Sequence, residues 1–376
     1  MINQTYEEVF TYEALYKAHL KGRTAKRDKK PLVRFEMCML SHIYEVYRKL
    51  HTDTFKFGSY SAFVVYEPKR REIQTLHYSA RIVQHVLCDN LLMPYFSKRA
   101  IMDNCVCQIG KGTKFALGRF EGMLRTFVQK HKAKGYFLKC DVLKYFPSVP
   151  HEQLKQTFCT PFKDKRLKNL IEGVIDSYHT SEEYLNRYGI PLLEGSAGKR
   201  QTGRGMPIGN QTSQVFGMFY LNKVDRLIKE KLRIKAYSRY MDDFVIIHHD
   251  KEYLKYVLKC ILKAVGELGL SLNSKTQIFP LKNGVTYLGF RYFVTDSGKI
   301  IKNVKKQTKR RMRWRARLLK KAYFDGVIDA ERVQLSLASI NGHLKYGNTY
   351  KLRAELFKKL SFIANDGIIL RYNNAK

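Results

Sequence analysis

Apolar and polar positions along this chain follow two periods, and the places where one gives way to the other outline its elements. In the stretch 10–50, YEALYKAHL and FEMCMLSHIYEVYRKL repeat apolar residues at helical spacing. They predict two helices separated by the basic loop KGRTAKRDKKP, which Pro31 helps to break. SAFVVYEPKRREI reads as two strands around a basic turn, and ARIVQHVLCDNLLMPYF returns to the helical period as far as Pro94. Within KGYFLKCDVLKYFPSVPHEQL a strand passes through a Pro-punctuated turn into a helix. MPIGNQTSQVFGMFYLNKVDRLIKEKL predicts a long helix approached by Gly209, and AYSRYMDDFVIIHH predicts strand, tight turn, strand.

Further on, KEYLKYVLKCILKAVGELGL is an amphipathic helix ended by glycine, and GVTYLGFRYFVTDSGK a pair of strands in a hairpin. From Val304 the pattern is helical and very basic. Ten of the residues from Lys305 to Lys321 are Lys or Arg and none is acidic. Val304, Thr308, Met312, Ala316 and Leu319 still recur at helical spacing. One stripe can therefore pack while the rest, a solvated basic face at the least, turns toward a phosphate backbone.

The charge extends that picture to the whole chain. Its 69 Lys and Arg against 33 Asp and Glu leave a net charge of +36 over 376 residues, which implies a polyanionic partner or at minimum a very basic surface. An apolar content of 44% supports a real core, and the length suggests two or three packed subdomains. No stretch has the apolar length of a membrane span, and MINQTYEEVF lacks a signal-peptide core, so an intracellular, cytoplasmic protein is expected. The seven cysteines are scattered, with no paired CxxC spacing of a zinc site, and reduced thiols are expected. Cys105 and Cys107 alternate as one face of a strand would.

The chemistry concentrates in RYMDDFVIIHH. Two carboxylates a few ångströms apart repel by ~4 kcal/mol at an effective dielectric near ~20, so both ionise readily only beside cations. An isolated Asp-Asp is most often a turn. Here Asp242 and Asp243 follow a strand, and a second strand, YFLKCD, ends in Asp141. Hard oxygen ligands of this kind select magnesium or manganese, and a pair of ions needs this third carboxylate. GKGT at 110–113 lacks the Walker spacing, and GRGMPIG lacks the dinucleotide fingerprint.

The order of these segments resembles the reverse transcriptases. YMDD at 240–243 is similar to their palm motif C, KCDVLKYF to motif A, GRGMPIGNQTSQ to motif B, LNSKTQIFP to motif D and YLGF at 287–290 to motif E. EPKRREI and QIGKGTKFAL resemble the fingers motifs of the bacterial branch, and the likeness runs from about 12 to about 355. Pro207-Ile208-Gly209 with Ser213-Gln214, and the closing SINGHLKYGNTYKLR, resemble the enzymes of diversity-generating retroelements. VFGMFYLN in place of a small-residue run, and a Gly-rich insertion at about 178–205, leave the related defence-associated clade open.

What the resemblance implies is specific. Asp141, Asp242 and Asp243 would hold two Mg2+ ions, with Mn2+ as an alternative, while a primer 3′-hydroxyl attacks the α-phosphate of a dNTP. Lys69 and Arg71 would clamp the triphosphate, with Arg70 able to replace either; taken alone they are an exposed basic turn. Phe146 would be the ring that collides with a ribose 2′-hydroxyl; without the resemblance it is an ordinary core aromatic. Ile208, where many relatives carry glutamine, cannot donate that residue's hydrogen bonds, so base-pair checking would be loosened. Lys275 would protonate the leaving pyrophosphate, unless it is only a surface lysine, and Gly209 and Gln214 would shape the nucleotide and template side. Lys305, Lys309, Arg310, Arg313 and Arg317 would follow the nucleic-acid backbone.

The expected fold is α+β, a right-hand polymerase with fingers, a palm built on an antiparallel sheet, and a helical thumb. Its divisions fall at 1–60 for an N-terminal helical extension, 61–135 for fingers, 136–295 for palm with an insertion at about 150–205, and 296–376 for the basic thumb. No ribonuclease H or endonuclease domain is expected after the thumb. The expected activity is RNA-directed DNA synthesis on a structured template RNA from a DNA or RNA primer. The biological setting would be error-prone copying in a diversity-generating element, with a basic oligomeric accessory protein, or phage defence from a noncoding RNA. A non-catalytic RNA-binding or maturase-like protein of the same fold would show a broken carboxylate set, and the set here is whole.

Overall fold

The structure, a computed structural model, describes residues 2–66 and 69–358. It divides into two compact units, each made of separate stretches of chain. The first comprises the described parts of Met1–Ala116, Leu138–Ile246 and Glu252–Gln277, and the second those of Leu117–Phe137, Ile247–Lys251 and Ile278–Lys376.

The first unit begins with helices. Thr11 starts the helix Tyr12–Gly22 by accepting the Ala14 amide on its hydroxyl at 3.1 Å. The basic loop separates this helix from the next as expected, and Pro31 lies in the first turn of that next helix, Lys30–Met37, where its missing N–H would have no partner in any case. The expected single helix is interrupted at Cys38, whose φ of −130° and ψ of 46° separate it from Met39–His51.

Strands β1 (Ser61–Val65) and β2 (Arg71–Thr75) form an antiparallel pair in the register Ser61↔Thr75 to Val65↔Arg71. The helix Tyr78–Val86 runs on through a wide π turn, Leu87–Leu92, into Met93–Ser97. It was expected to stop at Pro94. Instead Pro94 falls in the first turn of that last segment, and the π turn shifts the hydrogen-bond register before it.

A four-stranded sheet follows, with β3 (Tyr136–Asp141), β4 (Ala236–Tyr240), β5 (Asp243–His248) and β6 (Gln277–Pro280) in the order β4-β5-β3-β6. Packed residues such as Phe137, Leu138, Phe244, Val245 and Ile246 are almost wholly buried. The predicted helix after Gly209 is Gln211–Tyr220, continued by Asn222–Arg226 and a π turn at Leu227–Lys231. Cys105 and Cys107 do not share a strand. Cys105 is buried beside a single bridge between Asn104 and Arg239, Cys107 has a φ of 51°, and all seven cysteines are free thiols.

In the second unit, β7 (Val285–Tyr287), β8 (Phe290–Val294) and β9 (Ile300–Val304) make a three-stranded antiparallel sheet, one strand more than the expected hairpin. Leu288 and Gly289, with φ of 47° and 86°, form the tight turn between the first two. Val304 closes β9 rather than opening a helix; the basic helix runs from Lys306 to Phe324 and buries Thr308, Met312 and Ala316. Helices Ala330–Leu344 and Tyr350–Lys358 complete this unit's described part. The architecture is the expected mixture of helices with antiparallel sheets. No helix among the described residues is long and apolar enough to cross a membrane.

Candidate active site

The three aspartates come together in the first unit because two strands end beside each other. β3 alternates from the buried Leu138 and Cys140 to the half-buried Lys139 and Asp141, so its last carboxylate leaves the core at the strand tip. β4 turns into β5 through Met241 and Asp242 alone, which puts Asp242 in the turn and Asp243 at the first position of β5. The backbone locks the two tips together. The Val142 amide donates to the Asp242 carbonyl at 3.3 Å, and the Asn273 amide donates to the Asp141 carbonyl at 2.7 Å.

So short a hairpin turn requires a positive φ at its first central residue, a position usually given to glycine or asparagine. Met241 supplies it, with φ of 57°. A non-glycine residue there costs about 1 kcal/mol or more unless its surroundings hold it. They do so through Arg239, a side chain with no exposed surface, whose guanidinium donates to the Met241 carbonyl at 3.0 Å. The same guanidinium donates to the Met218 carbonyl at 2.8 Å and makes a two-pronged ion pair with the equally buried Asp225. Asp225 also accepts the Tyr237 hydroxyl at 2.6 Å.

Burial pushes the Asp242 carboxyl up to about 6; the charges of Asp141 and Asp243 add to the rise, while a backbone hydrogen bond and Arg71 oppose it. Asp141 is raised by burial against the pull of Lys139, Lys275 and Lys69. Asp243 is raised by burial against Lys139, whose ammonium lies 3.3 Å from its Oδ2, with Asp141 adding to the rise. Asp243 Oδ1 is buried with no hydrogen-bond partner among the described residues. Hard carboxylate oxygens held partly dry, mutually repelling and incompletely partnered suit divalent cations such as Mg2+ or Mn2+. Among the described residues no three His, Cys, Asp or Glu side chains close on one point, so the carboxylates are neighbours rather than a ready-made cage.

Of the residues expected on the nucleotide side, three basic ones act on the same tips. Lys69 and Lys275 act on Asp141 and Arg71 acts on Asp242, although all three side chains are exposed. β2, which carries Arg71, docks on the segment before the Gln211–Tyr220 helix: the Gln74 amide donates to the Ile208 carbonyl at 2.8 Å. Gly209 makes that approach possible. Its φ is 139°, and a Cβ there would lie 2.2 Å from the Gln74 carbonyl oxygen. Ile208 is half-buried, and Asn210 anchors the segment by donating to the Tyr60 hydroxyl at 2.7 Å. Phe146 is half-buried in the short helix Tyr145–Ser148. Gln214 is exposed on its helix, with the Cys107 thiol donating to its Oε1 at 3.9 Å.

The basic residues expected to follow a nucleic acid lie in the second unit. Lys305, Arg310 and Arg317 are exposed and Lys309 partly so. Arg313 differs, because Glu355 grips its guanidinium from both oxygens at 2.7–3.3 Å. Sequence reasoning missed Lys139, Arg239 and Asp225. The two-residue period of β3 puts Lys139 on the face of Asp141 and was a usable signal; nothing in the sequence pairs Arg239 with Asp225.

Residues 68–292 match the family model described as reverse transcriptase (RNA-dependent DNA polymerase). A comparison with curated proteins found no match. Among solved structures the chain is similar to apo telomerase from Candida tropicalis truncated from the C-terminal domain. The identity is 14% and the TM-score 0.46, over 66% of this chain and 55% of that one. A second structure, of apo telomerase from Candida tropicalis, gives the same identity and TM-score over 66% of this chain and 49% of the other. The chain thus spans about half the length of the telomerase chains it matches.

Proposed function

This chain belongs to the reverse transcriptase family, and from that premise we propose that it copies RNA into DNA, adding dNTPs to a primer 3′-hydroxyl. The observation that carries the reading is the cluster of Asp141, Asp242 and Asp243 at adjoining strand tips, with the charges of Lys69, Arg71 and Lys275 acting on them. Asp141, Asp242 and Asp243 would hold magnesium, or manganese, whose Lewis acidity serves the attacking hydroxyl and the phosphate. Everything else falls to side chains of this chain. Lys69 and Arg71 orient the triphosphate and offset its charge. Phe146 excludes a 2′-hydroxyl, so deoxynucleotides are taken in preference. Lys275 gives its proton to the departing pyrophosphate. Lys305, Lys309, Arg310 and Arg317 follow the template and primer backbone.

The finer reading is a diversity-generating element, in which a dedicated structured RNA is copied with errors beside a basic oligomeric accessory protein. Its support is the Pro207-Ile208-Gly209 and Ser213-Gln214 pattern, together with the apolar Ile208 side chain, which offers no hydrogen bond to a nucleotide or template.

Primer extension by the full chain on an RNA template with Mg2+, followed by sequencing of the products, tests both levels. Asp242→Asn is expected to reduce extension by at least ~100-fold, the scale of losing one strong electrostatic contact with the transition state. Full extension by that variant would remove the polymerase reading. Ile208→Gln is expected to lower misincorporation, most clearly at template adenines. An error spectrum equal to wild type would remove the error-prone reading and leave the polymerase standing.

A further inference from the structure

The ring of Phe146 rests on a residue that has no side chain. A Cβ built on Gly217 would lie 3.2 Å from Phe146 Cζ, 3.5 Å from Phe146 Cε2 and 3.4 Å from Met241 Sδ. The tip of the Phe146 ring and the thioether of the aspartate turn therefore meet at one point on the helix Gln211–Tyr220.

That point is held firmly from behind. The Gly217 carbonyl accepts the buried Tyr145 hydroxyl at 2.9 Å. The next carbonyl, of Met218, accepts from Asn104 Nδ2 at 2.9 Å and from Arg239 Nη2 at 2.8 Å. Tyr145 precedes Phe146 in the chain, so the same turn of helix ties the residue before the ring and seats the ring itself. Its φ lies outside the left-handed region, so glycine is not needed there for backbone reasons. Alanine is the better helix former at such a position. What glycine provides is space.

We infer that Gly217 is a positioning residue for sugar selection: by lacking a Cβ it sets how far the Phe146 ring stands from an incoming nucleotide. The inference rests on the polymerase reading and on Phe146 as the sugar gate. Gly217 is buried and Phe146 is half-buried, so a methyl group at 217 displaces the ring toward its open side by a few tenths of an ångström. Met241 Sδ, at 3.4 Å, stays in ordinary contact with that methyl group, so the push falls on the ring.

Four full-length forms decide the matter: wild type, Gly217→Ala, Phe146→Val, and the double variant. Each is measured for steady-state incorporation of dATP and of ATP opposite uridine in an RNA template, and for thermal melting. Gly217→Ala is expected to raise KM for dATP by about 3–10-fold with a smaller change in kcat. Its melting temperature should not fall, since helix propensity favours alanine. Phe146→Val is expected to admit ATP, and in that background Gly217→Ala should leave KM unchanged. If alanine does lower melting, restoration by Phe146→Val identifies the same contact, and failure to restore it overturns the inference. Equal KM changes in both backgrounds, or no change in the single variant, also overturn it. Phe146→Val that still rejects ATP removes the gate reading itself, separately from any dependence of the Gly217→Ala effect on residue 146.

Discussion

Arg239 has no exposed surface, yet its guanidinium has four acceptors: both oxygens of Asp225 and the carbonyls of Met218 and Met241. Taken alone, a buried ion pair contributes little net stability, because desolvation offsets the attraction. Removing one member is a different matter. Asp225→Asn or Arg239→Met leaves a buried charge uncompensated, and each is expected to lower unfolding free energy by about 3–5 kcal/mol in urea titration. The double variant should cost less than the sum of the singles. Arg239→Lys keeps the charge but not the planar fork, so it should fall between wild type and Arg239→Met. The aspartates were legible because adjacent carboxylates next to a buried strand ask for a chemical reason. Arg239 was not, although it stands two residues before Met241. Its partner Asp225 lies in the helix Asn222–Arg226, where a lone acid among basic neighbours reads as surface.

At the scale of elements, sequence period was most informative where one element meets one neighbour. β3, the β4–β5 hairpin and the basic helix were all legible on that ground. Proline misled at Pro94, which follows directly on a π turn inside a continuing helix, whereas Pro31 sits in a true first turn, where a missing N–H does no harm. β9 was not foreseen, and its last residue, Val304, was read as the start of the following helix, because its pairing with β8 is a tertiary fact. The docking of β2 on Ile208 and Gly209 was equally invisible, and it yields a prediction. In Gly209→Ala a Cβ would stand 2.2 Å from the Gln74 carbonyl oxygen at a φ of 139°, so β2 and Arg71 must withdraw. KM for dNTP in primer extension should rise by about 10–100-fold. An unchanged KM would mean that β2 does not hold the nucleotide clamp.

Over the whole molecule, a charge of +36 would set the terms of the proposed RNA binding. Each phosphate neutralised releases a counterion, so log K should fall linearly with log salt, by about 0.7–0.9 per contact. Lys305→Ala, Arg310→Ala and Arg317→Ala should each flatten that slope by about one contact in filter-binding titrations. Arg313→Ala should leave it unchanged, because Glu355 already occupies that guanidinium. A slope insensitive to the first three would place the RNA elsewhere. The first unit has a further property: it is stitched from three separated stretches, the last ending at Gln277. On a ribosome making about 10 residues per second, Asp141 emerges roughly ten seconds before Asp242. The Asn273 amide that takes the Asp141 carbonyl emerges later still. The basic helix Lys306–Phe324 comes last of all, so a product released early by a stalled ribosome would have neither the joined carboxylates nor the helix proposed to hold RNA.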